Sequence, residues 1–234
     1  MQIANWVDRS EYPFTGHYLD LPMGRMHYVD EGQGRPVVMV HDYGGPIGLS
    51  YAIDHPENIH SLVVMNTWMW SLENDPHFTG TQMFAGPLGR FLYERLAFSA
   101  RVMLPLAMGD KSKLTRPIHA HYLKPWQTPA ERHGTWIFAR EIIGSSRWYD
   151  SLWQKKANLQ DIPALILWGM KDIAFRVEEL EKMKSVFHSK SITTFDRIGH
   201  FVAEELGDDL APLVTQFLES YSNKPLRLSR EAGG

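Results

Sequence analysis

The chain of 234 residues contains no cysteine, and this absence excludes several classes of site at once. Disulfide frameworks, thiolate zinc sites, iron–sulfur clusters and cysteine nucleophiles all require a thiol. An excess of charge of one sign is also missing, because 24 Lys and Arg residues stand against 27 Asp and Glu residues. The basic residues are scattered and form no stripe that would follow a phosphate backbone, so we expect no nucleic-acid partner.

Long apolar runs are absent as well. No segment reaches the roughly 18 apolar residues of a membrane span, and the first residues have no basic region followed by an apolar run. We therefore expect no membrane association and a cytoplasmic location. What the chain does have is 44% hydrophobic residues, including 8 Trp, 9 Tyr and 11 Phe. This composition is typical of a globular protein, and the length suits one domain with an insertion.

The pattern of apolar residues predicts strands that alternate with helices. Residues 17–20 and 25–29 alternate apolar and polar around a turn, which predicts an antiparallel hairpin. Short apolar runs predict buried strands, and residues with helical spacing follow them. The predicted strands of the core are 37–40, 57–66, 163–169 and 191–195, and the predicted helices after the last two of these are 175–187 and 203–222. This alternation predicts an α/β fold with a mostly parallel sheet.

Residues 67–160 have a different character: they are mainly helical in pattern, rich in Met and aromatic residues, and broken by Gly and Pro. We interpret this stretch as a helical cap inserted between two core strands. The predicted organisation is a first part of the core in 1–66, the cap in 67–160, a second part of the core in 161–223 and a frayed tail in 224–234.

Three polar residues follow predicted core strands and carry the candidate chemistry. Asp42 stands between an apolar strand and a Gly-rich turn into a helix, the pattern of a nucleophile elbow, and the N–H of Tyr43 points into the same space. Asp172 follows a buried strand, and His200 lies in a loop before the last helix. The order nucleophile, acid, histidine is that of α/β-hydrolases. The alternative for Asp42 alone is a residue that shapes a turn.

An Asp nucleophile implies a particular reaction. Its carboxylate can displace a leaving group from an sp³ carbon and form an alkyl ester, which water then hydrolyses. His200 would be the base for that water, and Asp172 would orient its imidazole. This scheme requires no metal and no organic cofactor.

Four motifs resemble those of haloalkane dehalogenases of the α/β-hydrolase superfamily, and the resemblance extends from Gly16 to about Tyr221. The motifs are HDYGGP at 41–46, NTWMW at 66–70, WGMKD at 168–172 and GHFVAEE at 199–205. The resemblance implies an α/β-hydrolase fold, the triad Asp42, His200 and Asp172, and a cap over a small apolar pocket. It implies a small halogenated substrate and water as partners.

The chain departs from the family pattern in two places. The family has Trp after the nucleophile, whose indole binds the halide, but this chain has Tyr43; the candidates for the halide or oxyanion donor are therefore Tyr43, Trp68 and Trp70. In relatives, a His-Gly-x-Pro loop and two further crossover units precede the elbow strand. Here Val37–Val40 continues directly into Asp42, so roughly 60 residues of the core are missing, at about 30 residues per unit.

The sequence leaves alternatives open. An epoxide hydrolase on the same scaffold would need cap tyrosines, and Tyr93, Tyr122 and Tyr149 are available. A shortened, catalytically impaired remnant of the family is the alternative outside enzymology. The sequence does not identify the substrate, the oligomeric state or the position that Val37–Val40 takes in the sheet.

Two further patterns resemble functional sites, and we interpret both as structural. Ser50 lies in a degenerate serine elbow but within a helical pattern, which favours an ordinary helical serine. His119 and His121 suggest a metal pair, but no third ligand follows at a suitable spacing, so surface positions on the cap are favoured.

Overall fold

In this computed structural model, the described residues are Arg9, 12–21, 24–31, 33–34 and 36–221. The chain divides into two compact units, Met1–Arg35 and Pro36–Gly234. The predicted tail 224–234 lies outside the described residues.

The first unit contains an antiparallel hairpin, which confirms the prediction for 17–20 and 25–29. Strand β1 (His17–Leu21) pairs with strand β2 (Gly24–Tyr28), with His17 opposite Tyr28 and Leu21 opposite Gly24. Tyr18 and Leu19 are exposed, so the apolar residues of this hairpin are not buried. The prediction comes from the alternation of apolar and polar residues.

The second unit is built on a parallel sheet of four strands in the order β3-β4-β5-β6. These are β3 (Val37–Asp42), β4 (Ser61–Thr67), β5 (Ala164–Gly169) and β6 (Lys190–Phe195). Every residue of β4 and β5 is buried, because helices cover both faces of a parallel sheet. The α/β prediction with a parallel sheet is confirmed.

The helices fall between and after the strands of the sheet. One helix, α1 (Gly44–Asp54), connects β3 to β4, and α7 (Val177–Lys184) connects β5 to β6. The segment between β4 and β5 contains α2 (Pro87–Leu96), α3 (Leu104–Ala107), α4 (Arg116–Leu123), α5 (Pro129–Gly144) and α6 (Ser146–Gln154). We refer to α2–α6 as the inserted helices. After β6 come α8 (Val202–Leu206) and α9 (Leu210–Tyr221).

Short turns complete the inventory of helical elements. The 3₁₀ turns are Pro56–Asn58, Thr79–Ala85, Lys111–Lys113, Lys156–Leu159 and Gly207–Asp209, and a π turn spans Ser99–Met103.

Local sequence signals set the starts of several inserted helices. Thr128 caps α5 by accepting from the N–H of Glu131, whose carboxylate accepts in return from the N–H of Thr128. This reciprocal capping box satisfies two backbone donors that the helix itself leaves unpaired. Thr115 caps α4 by accepting from the N–H of Ile118. Both helices have proline in the first turn.

Two apolar clusters lie on opposite faces of the sheet. On one face, Leu49 of α1, Trp68, Trp168 and Phe187 are among the side chains that are 2% exposed or less. On the other face, Val63 and Leu165 are among the strand residues that pack against α8 and α9. The sheet is therefore the buried centre of this unit, and its carboxyl edge is the place where the strand-end residues meet.

The structure corrects one predicted helix and answers one open question. The helix predicted over 203–222 is broken, because Gly207 has a φ of 56° and a 3₁₀ turn separates α8 from α9. The strand Val37–Val40 lies directly beside β4 and carries the turn at Asp42, so it takes the position of the elbow strand. Among the described strands β3 has β4 as its partner and forms an edge, and Met39 there is 46% exposed.

Candidate active site

Asp42 ends β3 in a tight turn with a left-handed backbone conformation. Its φ of 48° lies in the left-handed region, which side chains other than Gly, Asn and Asp rarely adopt. The hydroxyl of Thr67, at the end of β4, donates a hydrogen bond to the carbonyl of Asp42. Because α1 begins two residues later, at Gly44, the turn places the Asp42 carboxylate beyond the carboxyl edge of the sheet.

His200 lies between two carboxylates that come from different loops. Its Nδ1 is 2.9 Å from Oδ2 of Asp172, which belongs to the loop after β5. Its Nε2 is 3.8 Å from Oδ2 of Asp42. Asp172 and His200 are 5% and 7% exposed, whereas the side chain of Asp42 is 37% exposed because it faces a cavity. The structure therefore brings together the three residues that the sequence singled out.

The charges of this cluster determine its protonation. Burial alone would lower the pKa of His200, but the charge and hydrogen bond of Asp172, followed by those of Asp42, outweigh burial and raise the pKa to about 10. Burial alone would raise the pKa of Asp42, but the hydrogen bond and charge of His200 hold it below its ordinary value. The raised pKa of His200 and the lowered pKa of Asp42 both favour the ion pair between these two side chains in the free site.

Asn66, the first residue of the motif at 66–70, is a site residue whose role the sequence does not indicate. It is fully buried at the end of β4, and its side-chain amide donates to Oδ2 of Asp172 at 2.8 Å. Its amide oxygen accepts from the N–H of Gly169 at 2.8 Å, and its φ is 23°. The N–H of Ala174 donates to the other carboxylate oxygen of Asp172 at 2.7 Å. These donors fix Asp172 in the orientation that His200 needs.

His41 is a second residue that the sequence reasoning did not assign. Its Nε2 is 2.7 Å from the carbonyl of His200, so Nε2 carries a proton and donates it. The two imidazole rings lie 4.5 Å apart. Burial, followed by the charge of His200, lowers the pKa of His41 to about 4. His41 is therefore a neutral donor to the backbone of the histidine loop.

The Asp42 carboxylate and the His200 ring line a cavity of about 350 Å³ between the sheet edge and the inserted helices. Most of the lining is apolar or aromatic and comes from the segment between β4 and β5 and from the loop after β5. These residues include Leu72, Phe78, Met103, Leu104, Trp126, Phe138, Ile142, Ile173 and Phe175. An apolar chamber with a few convergent polar groups is the usual form of a small-molecule site.

The structure separates the candidate donors Tyr43 and Trp68. The hydroxyl of Tyr43 donates to the carbonyl of Phe138 in α5, and burial raises the pKa of that hydroxyl far above its ordinary value. The Tyr43 hydroxyl therefore already donates its hydrogen bond to the backbone. Trp68 also lines the cavity, and its buried indole N–H has no hydrogen-bond acceptor among the described residues. A buried donor without a partner is costly, so the indole N–H of Trp68 is a donor that the described part of the protein leaves unpaired.

The structure does not place the third candidate donor, Trp70, in this cavity. Trp70 lines a separate polar pocket, where the ammonium of Lys182 lies 4.5 Å from its ring. Trp70 is therefore corrected to a packing residue away from Asp42.

Ser50 and His119, which we interpreted as structural from the sequence, both have a backbone carbonyl as a hydrogen-bond partner. The hydroxyl of Ser50 donates to the carbonyl of Ile47 within α1, as in an ordinary helical serine. A ring nitrogen of His119 lies 2.8 Å from the carbonyl of Ala100. Within the described ranges, no group of three or more His, Asp or Glu side chains could hold a metal ion. The helices of these ranges include none that combines the length and the hydropathy of a membrane span.

Comparison with known proteins identifies relatives of the whole architecture. The family model described as alpha/beta hydrolase fold matches residues 32–205. Haloalkane dehalogenase 2 of Mycobacterium tuberculosis is 21% identical over 285 residues, which covers 92% of this chain and 99% of the relative. A cis-3-alkyl-4-alkyloxetan-2-one decarboxylase of Xanthomonas campestris is 27% identical over 197 residues, covering 80% of this chain and 64% of the relative.

Solved structures that are similar to this chain have the same fold. Haloalkane dehalogenase DatA from Agrobacterium tumefaciens has a TM-score of 0.67 at 18% identity and covers 80% of this chain and 67% of its own. DbeA from Bradyrhizobium elkani has a TM-score of 0.69 at 15% identity, with 79% and 67% covered. The alignment with the mycobacterial relative is longer than this chain, so this chain lacks segments that the relative contains. With a family model matched over most of its length, the chain belongs to the α/β-hydrolase fold family.

Proposed function

We propose that the protein is a hydrolase of haloalkane dehalogenase type, which displaces halide from an alkyl carbon by way of an ester on Asp42. The observation that carries the proposal is the Asp42–His200–Asp172 cluster at the wall of an apolar cavity. A carboxylate in the nucleophile position favours attack on an sp³ carbon, because the product is an ester that the same site can hydrolyse. The similarity to haloalkane dehalogenase 2 supports the same reaction.

In the first step, an oxygen of Asp42 attacks the carbon that carries the halogen. A carbon–oxygen bond forms, the carbon–halogen bond breaks, and the halide leaves with the electron pair. The low pKa of Asp42 keeps the carboxylate ionised for this attack. The free N–H of Trp68 is suited to receive the departing anion.

In the second step, water attacks the carbonyl carbon of the Asp42 ester, and Nε2 of His200 takes the proton. Esterification neutralises Asp42 and so removes one of the two charges that hold the pKa of His200 near 10. His200 then releases its proton to solvent, and the neutral imidazole is the base in the intermediate. The bond between the acyl carbon and the alkoxy oxygen breaks, and the alcohol leaves with a proton. The carboxylate of Asp42 is thereby restored.

The substrate class follows from the cavity. Its lining offers apolar contact over most of its surface, and the charged groups are confined to the end at Asp42. We propose that the inserted helices act as the cap that holds a short alkyl halide against this end. The expectation of a small halogenated substrate rests on the same features.

Epoxide hydrolysis is the second candidate, and Tyr93 is the observation that favours it. Tyr93 lines the cavity and is 8% exposed, and burial, followed by the charge of Asp42, raises the pKa of its hydroxyl to about 12. A neutral phenol near the nucleophile could protonate an epoxide oxygen. The other two tyrosines are less suited, because Tyr122 donates to Glu204 and Tyr149 donates to the carbonyl of Glu141.

The test is an assay of the full chain with 1-bromohexane, styrene oxide and a cis-3-alkyl-4-alkyloxetan-2-one, the last suggested by the second relative. We expect bromide and hexanol from 1-bromohexane. Diol formation without bromide release would favour the epoxide hydrolase. A cooperatively folded chain that turns over none of the three compounds would contradict the proposal and support a catalytically impaired remnant.

Replacement of Trp68 by Phe should weaken the binding of the halide product, because Phe keeps the ring packing and removes the free N–H. We expect bromide inhibition to weaken by about 10-fold to 100-fold, as for the loss of a hydrogen bond to a charged group. The measurement is the bromide inhibition constant at fixed substrate. Trp70→Phe is the matched control, since Trp70 lies in the other pocket, and an unchanged constant in Trp68→Phe would exclude Trp68 as the donor.

A further inference from the structure

We propose that Glu205 is a positioning residue, which ties the loop that carries His200 to a loop of the inserted helices and so holds the base at the nucleophile. Glu205 lies in α8 and is 3% exposed. It does not touch the cavity and has no part in the two chemical steps. The proposal rests on the proposed function, because it assigns to Glu205 the placement of the base in the second step.

The carboxylate of Glu205 accepts three backbone hydrogen bonds from two distant loops. Its Oε1 accepts from the N–H of Gly199 at 2.8 Å and from the N–H of Gly109 at 3.2 Å. Its Oε2 accepts from the N–H of Asp110 at 2.7 Å. In the described part of the chain no basic side chain lies within ion-pair distance of it. The backbone donors are therefore what compensates the buried charge.

The two loops that Glu205 joins are in direct backbone contact. A Cβ at Gly109 would collide with the backbone of Gly199, and a Cβ at Gly199 would collide with the backbone of Ala107. The N–H of His200 donates to the carbonyl of Ala107 at 2.9 Å across the same contact. Glycine at both positions allows this approach, and Glu205 bridges it.

The position of the His200 ring depends on this backbone contact. His200 follows Gly199 directly, so a shift of the Gly199 peptide would move the imidazole relative to Asp42 and Asp172. The ring lies 2.9 Å from Asp172 and 3.8 Å from Asp42, so such a shift would change both separations. A misplacement of about 1 Å can cost on the order of 100-fold in rate. Glu205 therefore acts on the chemistry through His200.

The ordinary alternative is that Glu205 is an acidic residue in the first turn of a helix, where the helix dipole favours it. That role would require no contact with residues 109–110, which are about 95 positions away in the sequence. Loss of that role would lower the stability of the fold and would not slow one chemical step more than the other. The two roles can therefore be separated by measuring the steps individually.

The experiment compares Glu205→Gln with wild type in single-turnover reactions with 1-bromohexane. Glutamine keeps the volume but replaces one accepting oxygen by an NH₂ group, which cannot accept. We expect ester hydrolysis to slow about 10-fold to 100-fold and ester formation to change by less than about 3-fold. Glu179→Gln is the control for the loss of a buried carboxylate away from the cavity, because Glu179 is also 3% exposed and accepts from the backbone N–H and the guanidinium of Arg176. It should leave both steps unchanged.

A second measurement keeps the proposal testable if wild type forms no ester, which would be a failure of the proposed function alone. An NMR titration of the His200 ring should show a lower pKa in Glu205→Gln than in wild type, because the ring moves away from its carboxylates. An equal pKa in both proteins would overturn the proposal. So would equal slowing of both chemical steps, or no slowing of either, in a folded variant.

Discussion

Replacement of His200 by Gln is expected to stop turnover after the first step, leaving an alkyl ester on Asp42. Glutamine fills a similar space but cannot take a proton from water, so the ester cannot be hydrolysed at the normal rate. Loss of a general base costs about 100-fold to 10,000-fold, and we expect steady-state turnover to fall within or beyond this range. The nucleophile itself is untouched, so one equivalent of halide should still be released in a burst.

The measurement for this variant is rapid-quench detection of bromide. Since the charge of His200 helps to keep the pKa of Asp42 low, the reaction is run at about pH 8.5, where the carboxylate remains ionised in its absence. His188→Gln is the control: His188 pairs with Asp161 at 3.0 Å but is exposed and distant from the cavity. A burst-free reaction, or normal steady-state turnover by His200→Gln, would contradict the assigned role.

Replacement of Asp42 by Asn is expected to abolish ester formation and to lower the pKa of His200. Asparagine has no anionic oxygen to attack the carbon, so halide release should fall to the uncatalysed background. Asp42 is also one of the two charges that raise the pKa of His200 to about 10. With Asp172 alone beside it, the imidazole should lose its proton at a lower pH.

This pKa change has a consequence for stability. A histidine whose pKa is raised on folding stabilises the fold fully below its unfolded pKa of about 6.5, and the contribution is lost as the pH rises through the folded value. Wild type should therefore lose this contribution as the pH approaches about 10. Asp42→Asn should lose it at lower pH. Urea unfolding between about pH 7 and pH 10 measures both curves, and coincident pH dependence would contradict the coupling of Asp42 to His200.

The sequence predicted the elements whose signal is local. The apolar runs of β3, β4 and β5 are short and uninterrupted, and the polar residues that follow them lie at one edge of a parallel sheet. This is why Asp42 after β3 and Asp172 after β5 could be selected without a structure, whereas His200 was selected from its loop before the last helix. The chain order of the three residues supplied the rest of that prediction.

Other features depend on contacts between distant parts of the chain. The indole of Trp68 is free and the hydroxyl of Tyr43 is not, because Phe138 in α5 presents a carbonyl to one of them. The orientation of Asn66 toward Asp172 likewise depends on how β4 and β5 pack. The periodicity of 203–222 hides the break at Gly207, because apolar residues continue on both sides of it.

The shortened core has a definite structural consequence. The strand that carries the nucleophile is at the edge of the described sheet, whereas β4 and β5 are buried on both faces. The elbow is nevertheless tied to the sheet interior, since Thr67 of β4 donates to the carbonyl of Asp42. The geometry of the nucleophile thus depends on β4 and α1.

The proposed mechanism requires an ester on Asp42, and mass spectrometry of His200→Gln after incubation with 1-bromohexane would detect it. We predict that the intact mass rises by one hexyl group in place of hydrogen, and that peptide fragmentation locates the added group on Asp42. Release of bromide without a gain in mass, or an adduct on any other residue, would contradict the account.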